Sequence, residues 1–199
     1  MNSETKQKIF TSAAKLFSEK GYTKVSVREI CETAGVAKPA LYYYFADKDA
    51  LLEELVKESF VILEDLKTKH FNEKDLFMET FKALFRLYGE FADKYLIFTR
   101  FYMQMHFMAI PQKVKDLHVN NKEIQFRSML LFFEAAKKEG YLRKNEDIEM
   151  AASVFLGSVN QLFLVNYFVG DQKYPLKEKL KQLRNYWIDN FMKNKSEQS

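Results

Sequence analysis

Cysteine is almost missing from this chain: Cys31 is the only one, which excludes a disulfide framework and any thiolate metal cluster. A chain without disulfides suits a reducing, intracellular setting. Histidine is scarce as well. His70, His106 and His118 do not fall at metal-ligand spacing on a helix face. No glycine-rich phosphate loop, nucleophile elbow or Cys/His zinc pattern occurs. No metal, cofactor or catalytic residue is therefore assigned, and an enzyme would have to assemble its site from dispersed residues. Only 6 Gly and 3 Pro are spread over 199 residues, too few for a turn-rich β-sandwich, so helices are expected. Met1 to Phe10 is polar and charged, unlike a signal peptide, and a cytoplasmic location is the expectation.

Apolar residues make up 47% and charged residues 29%, the balance of a soluble globular protein. The net charge of +4 permits a polyanionic partner without requiring one. Aromatic residues reach 16%, an excess that fits a cavity, an interface or an aromatic-rich core. Residues 150–170 carry no formal charge and are long enough to span a bilayer. Hydrocarbon would leave Ser153, Ser158, Asn160, Gln161 and Asn166 unsatisfied, so a helix buried in protein or in a subunit interface is expected, and no membrane partner.

The first apolar pattern, Ile9, Phe10, Ala13, Leu16 and Phe17, has helical spacing and stops at Gly21, with Tyr22 folding back on Phe17. Ser26 and Glu29 form a capping box for a second short helix that ends at Gly35. A third opens at Lys38-Pro39, where proline costs no hydrogen bond, and points Leu41 and Phe45 inward. Asp47 caps a long fourth helix. Three short helices over 5–46, with a tight turn at Gly35, have the layout of a helix-turn-helix. Only helical patterns follow: Leu76–Tyr88, Leu96–Met108, Ile124–Ala136, Ile148–Val169, and a last stripe of Leu176, Leu180, Leu183, Trp187 and Phe191.

Residues 9–55 resemble the N-terminal domain of the tetracycline-repressor (TetR/AcrR) family of bacterial transcription regulators. The resemblance is carried by the run Ile9 to Phe17, Gly21-Tyr22, Ser26-Val27-Arg28-Glu29-Ile30, Ala34-Gly35-Val36, Leu41-Tyr42-Tyr43-Tyr44-Phe45, and Lys48 with Leu51. It implies an all-α protein with an N-terminal three-helix helix-turn-helix domain, 1–47, and a C-terminal helical ligand-binding and dimerisation domain, 48–199. It also implies a homodimer formed through the last two helices, a near-palindromic double-stranded DNA operator, and a small-molecule effector that releases DNA. The resulting expectation is a repressor. The alternatives are a small all-α enzyme with no DNA role, or an activator or ligand-independent regulator.

Lys38, Pro39, Ala40 and Tyr43 lie at the start and on the free face of the third helix, since Leu41 and Phe45 serve the core. Lysine donates to guanine O6 and N7, and Pro or Ala can touch a thymine methyl. By the resemblance these positions face the groove. Arg28 stands near bases in some family members, or is a solvated helix residue. Tyr42 reaches phosphate; Tyr44 either does so or half-buries in the core. Ser26 caps its helix beside free amides suited to phosphate. Lys48 opposes the dipole of the fourth helix, which a phosphate partner would explain. Ala37 departs from the family, which often has a polar cap there.

Effector candidates are Phe81, Phe85, Tyr88, Phe101, Tyr102, Met105, His106, Phe126, Met129, Phe133 and Phe163, an aromatic and Met-rich set suited to an apolar or planar molecule. Interface candidates are Phe155, Gln161, Leu176, Leu180, Leu183 and Trp187. Two apolar helices with too few neighbours to cover them point to a four-helix interface, with folding coupled to dimerisation.

Overall fold

The computed structural model describes residues 4–72, 74–142, 145–170 and 173–192. They form α1 (Glu4–Lys20), α2 (Val27–Ala34), α3 (Lys38–Tyr44), α4 (Lys48–His70), α5 (Phe77–Lys94), α6 (Leu96–Gln104), α7 (Gln112–Lys138), α8 (Ile148–Val169) and α9 (Leu176–Phe191), with no strand among the described residues. The all-α expectation holds. Two compact units result, and they are not sequential halves.

The first unit takes the described residues up to Glu64 together with Tyr95–Asn120. α1 buries Ile9, Phe10, Ala13, Leu16 and Phe17 and stops at Gly21, whose φ of 80° suits glycine. The Gly21 N–H donates to the Phe17 carbonyl at 3.0 Å, and the Tyr22 ring lies 5.3 Å from that of Phe17. Gly35 is left-handed at φ 65°, which lets the Val36 N–H reach back to the Cys31 carbonyl at 3.0 Å and turns the chain into α3. Leu41 and Phe45 are buried, and the Phe45 ring meets Phe10 edge-on at 5.2 Å. The Asp47 carboxylate accepts the Ala50 N–H at 2.7 Å and so starts α4. α6 packs on α1, which brings residues from beyond α5 into the same unit as the three short helices. The compact units therefore follow a different division from 1–47 and 48–199.

The second unit takes Asp65–Lys94 and the described residues from Asn121 onward. α9 packs on α5 and α8. Phe155 sits among Phe85 at 5.7 Å, Phe133 at 5.7 Å and Trp187 at 5.4 Å, measured between ring centroids. This corrects the interface expectation for Phe155, Leu176, Leu180 and Trp187. Their own chain covers them, because α9 lays its stripe on α5 and α8 rather than leaving it for a second copy. Leu183 is half-buried and Gln161 exposed.

Glu90 ties the end of α4 to α5. It accepts from Lys69 at 2.6 Å, His70 at 2.7 Å and Lys94 at 3.0 Å. These donors, Lys69 first, hold its carboxyl down at about 2.

Candidate nucleic-acid interface

α3 is seven residues long and divides cleanly. Leu41 and Phe45 face the core, while Lys38 and Pro39 are exposed and Ala40 is half-buried. Tyr43 is 82% exposed and Tyr42 51%. Pro39 to Tyr43 and Lys38 to Tyr42 are four-residue steps, so these side chains form one surface. Tyr44 is half-buried, its ring 4.9 Å from Tyr43 and 6.3 Å from Phe45, between the two roles open to it. Ala37 starts the helix with no side-chain cap, as its methyl group requires.

At the start of α2 the Ser26 hydroxyl accepts the Glu29 N–H at 3.2 Å. Glu29 accepts Lys20 at 2.5 Å, and this, together with the Ser26 backbone N–H, holds its carboxyl below the usual range. The Ser26 hydroxyl thus caps α2 as the capping box requires. The N–H groups of Val27 and Arg28, in the first turn, have no acceptor within the helix, which suits an anion. The exposed Arg28 side chain donates its Nε–H to Glu32 one turn on, at 2.7 Å.

Lys48, expected to meet phosphate, makes contacts within its own chain. Its ammonium donates to the Val25 carbonyl at 3.0 Å and the Tyr22 carbonyl at 3.1 Å, and lies 4.1 Å from the centre of the Tyr22 ring. The cation at the start of α4 thus finds acceptors within its own chain.

The effector candidates fall in both units. Phe101, Tyr102 and Met105 are buried in the first, where His106 is exposed and its Nδ1 meets the Tyr102 and Met103 carbonyls, each at 3.2 Å. In the second, Phe81, Phe85, Met129, Phe133 and Phe163 are buried, while Tyr88 and Phe126 are half-buried. Among the described residues no group of three or more His, Cys, Asp or Glu is placed to hold a metal ion.

Lys122, on α7, is half-buried, and burial pushes its ammonium down to about 8. The unfolded chain, with a lysine near its usual 10.4, binds more protons between these values. Stability should therefore rise as pH climbs from about 8 to 10. Urea unfolding of wild type and Lys122→Met across that range should show this rise in wild type alone, with a slope of at most ~1.4 kcal/mol per pH unit. Parallel pH profiles would contradict it.

Sequence reasoning placed α8 in an interface but named only Gln161 of its outer face. Met150 is 61% exposed, Val154 43% and Phe168 69%, and these residues share a face with Gly157, Gln161 and Leu164. The signal was present as steps of 4, 3, 4, 3 and 4 from Met150 to Phe168, hidden because the opposite face of α8 is apolar too. By length and composition α8 could also cross a membrane. Ser153, Asn160 and Gln161 on its exposed side favour a protein surface instead.

Residues 9–55 match the bacterial regulatory proteins of the tetR family. Over 60 residues the chain is 45% identical to the probable HTH-type transcriptional regulator YttP of Bacillus subtilis, covering 30% of this chain and 29% of that one. Over 101 residues it is 30% identical to IcaR of Staphylococcus aureus, the negative transcriptional regulator of the biofilm operon icaADBC, covering 50% and 53%. These matches span about a third and about half of the two relatives. The fold is shared with the transcriptional regulator FadR from Bacillus subtilis, solved in complex with stearoyl-CoA, at a TM-score of 0.76 and 16% identity over 93% of this chain and 98% of that one. With the helix-turn-helix geometry and the match at 9–55, that segment is a domain of the tetR-family type, and the all-helical fold is shared with FadR along nearly the whole chain.

Proposed function

We propose that this chain is a sequence-specific DNA-binding transcriptional repressor, cytoplasmic and homodimeric, released from its operator by a small molecule. Residues 1–47 carry the reading head, and 48–199 carry effector binding and dimerisation. The exposed face of α3 is the observation that carries this reading. A short helix that buries Leu41 and Phe45 yet holds Tyr43 82% in water beside Lys38 and Pro39 gives up apolar burial on one side. A groove edge lined with base acceptors and methyl groups is the surface that matches it. Ser26 and the first turn of α2 supply phosphate contacts, and Tyr42 a further one. IcaR, a negative regulator by name, supports the sign of regulation. FadR, solved with stearoyl-CoA, supports an apolar or aromatic effector among the buried aromatic and Met side chains. The exposed apolar face of α8 supports a two-fold interface with a second copy.

Selection from random double-stranded DNA tests the reading. The expected product is a near-palindrome whose half-sites lie about one helical turn apart, ~34–36 Å, or a multiple of it. Lys38→Ala and Tyr43→Ala should each change the preferred sequence, at ~1–3 kcal/mol per lost base contact. Recovery of no enriched palindrome removes the specific-regulator reading.

A further inference from the structure

We infer that Lys48 is a positioning residue, acting on DNA binding through the loop that carries the start of α2 rather than by touching phosphate itself. This rests on the DNA-binding reading above. Lys48 is the first residue of α4, where a cation opposes the helix dipole. Two carbonyls, those of Tyr22 and Val25, offset that cost by accepting its N–H groups at 3.1 and 3.0 Å. The face of the Tyr22 ring, 4.1 Å away, takes the charge from a third side. The next residue of α4 completes the clasp: the Asp49 carboxylate accepts the Tyr22 hydroxyl.

What the clasp holds is specific. Tyr22 is buried and starts the 3-10 turn Tyr22–Lys24. The Val25 N–H closes that turn on the Tyr22 carbonyl at 3.3 Å, and the Val25 side chain is buried. The next residue is Ser26, the cap of α2. Two consecutive residues of α4 therefore fix the backbone on which the N–H groups of Val27 and Arg28 are presented. A phosphate seat built from backbone donors is only as good as their placement, so a lysine spent on carbonyls serves DNA by preorganising that seat.

Two variants separate this role from a direct phosphate contact. Lys48→Met removes the charge and the donors; Tyr22→Phe breaks the Asp49 half of the clasp and changes no formal charge. The measurements are affinity for the selected operator as a function of salt, and amide hydrogen exchange at residues 25–28 of the full-length protein. Lys48→Met should weaken binding roughly tenfold or more, with the slope of log K against log salt unchanged and exchange at 25–28 faster. Tyr22→Phe should give the same signature, smaller. A slope shallower by about 0.9 in Lys48→Met, the value of one lost phosphate contact, overturns the inference. So does unchanged exchange at 25–28. If Lys48→Met fails to fold, Tyr22→Phe decides: faster exchange with weaker binding supports the clasp, and wild-type behaviour overturns it. A wild type that binds no operator sinks the DNA reading instead, while exchange, which needs no DNA, still reads the clasp.

Discussion

Glutamate at both Val154 and Phe168 is expected to split the proposed dimer and to lower affinity for its proposed operator by ~10²–10⁴-fold, the scale of avidity when two linked sites become one. Both residues stand on the exposed face of α8, at 43% and 69% exposure. In a two-fold interface each substitution appears twice, so four carboxylates would have to enter an apolar contact without partners. Burying an unpaired charge costs several kcal/mol per ion, more than such a contact can offset. The variant should nevertheless fold as a monomer. Phe155, Leu180 and Trp187 are covered within their own chain, so the core does not wait for the second copy. This prediction differs from the coupled folding expected from the sequence. Light scattering with operator titration checks it. A variant that remains dimeric at micromolar concentration would place the interface elsewhere.

Phe155→Ala is expected to cost ~3–5 kcal/mol of stability, the range for removing a buried aromatic side chain. Domains of this kind hold only about 5–15 kcal/mol in total. The ring joins α8 to α5, α7 and α9 through Phe85, Phe133 and Trp187, so its removal leaves a cavity that no single helix can close. Offset and edge-on pairs of this type add ~0.5–1.5 kcal/mol each beyond area burial. The unfolding midpoint should fall by roughly 10 °C, while Phe155→Leu loses much less. Calorimetry of the two variants decides this. A loss under about 1 kcal/mol for Phe155→Ala would show that the surrounding rings collapse into the space.

Local signals in the sequence carried the helix-turn-helix well. The Ser26–Glu29 box, the stops at Gly21 and Gly35, the Asp47 cap and the inward pair Leu41 and Phe45 act within a few residues, and each holds in the structure. Helix ends were less legible. α7 begins at Gln112 rather than near Ile124, because the Pro111 carbonyl accepts the N–H groups of Val114 and Lys115, each at 3.0 Å, and sets the first turn. The partners of apolar stripes were not legible at all. Periodicity shows that Leu176, Leu180 and Trp187 share a face, but the covering surface comes from α5, far away in sequence. The intrachain partners of Lys48 were hidden for the same reason. Its acceptors lie 23 and 26 residues upstream, and a dipole argument identifies the need for an anionic or carbonyl partner without choosing between them.

The packing of α6 on α1 also bears on how the protein is made. The three short helices leave the ribosome before Tyr95–Asn120, which follows all of α5 yet belongs to the same unit. Chains are synthesised at about 5–20 residues per second, so the nascent α1 spends seconds with its α6 face uncovered. The helix-turn-helix segment thus cannot complete its fold until α6, on the far side of α5 in the sequence, has emerged.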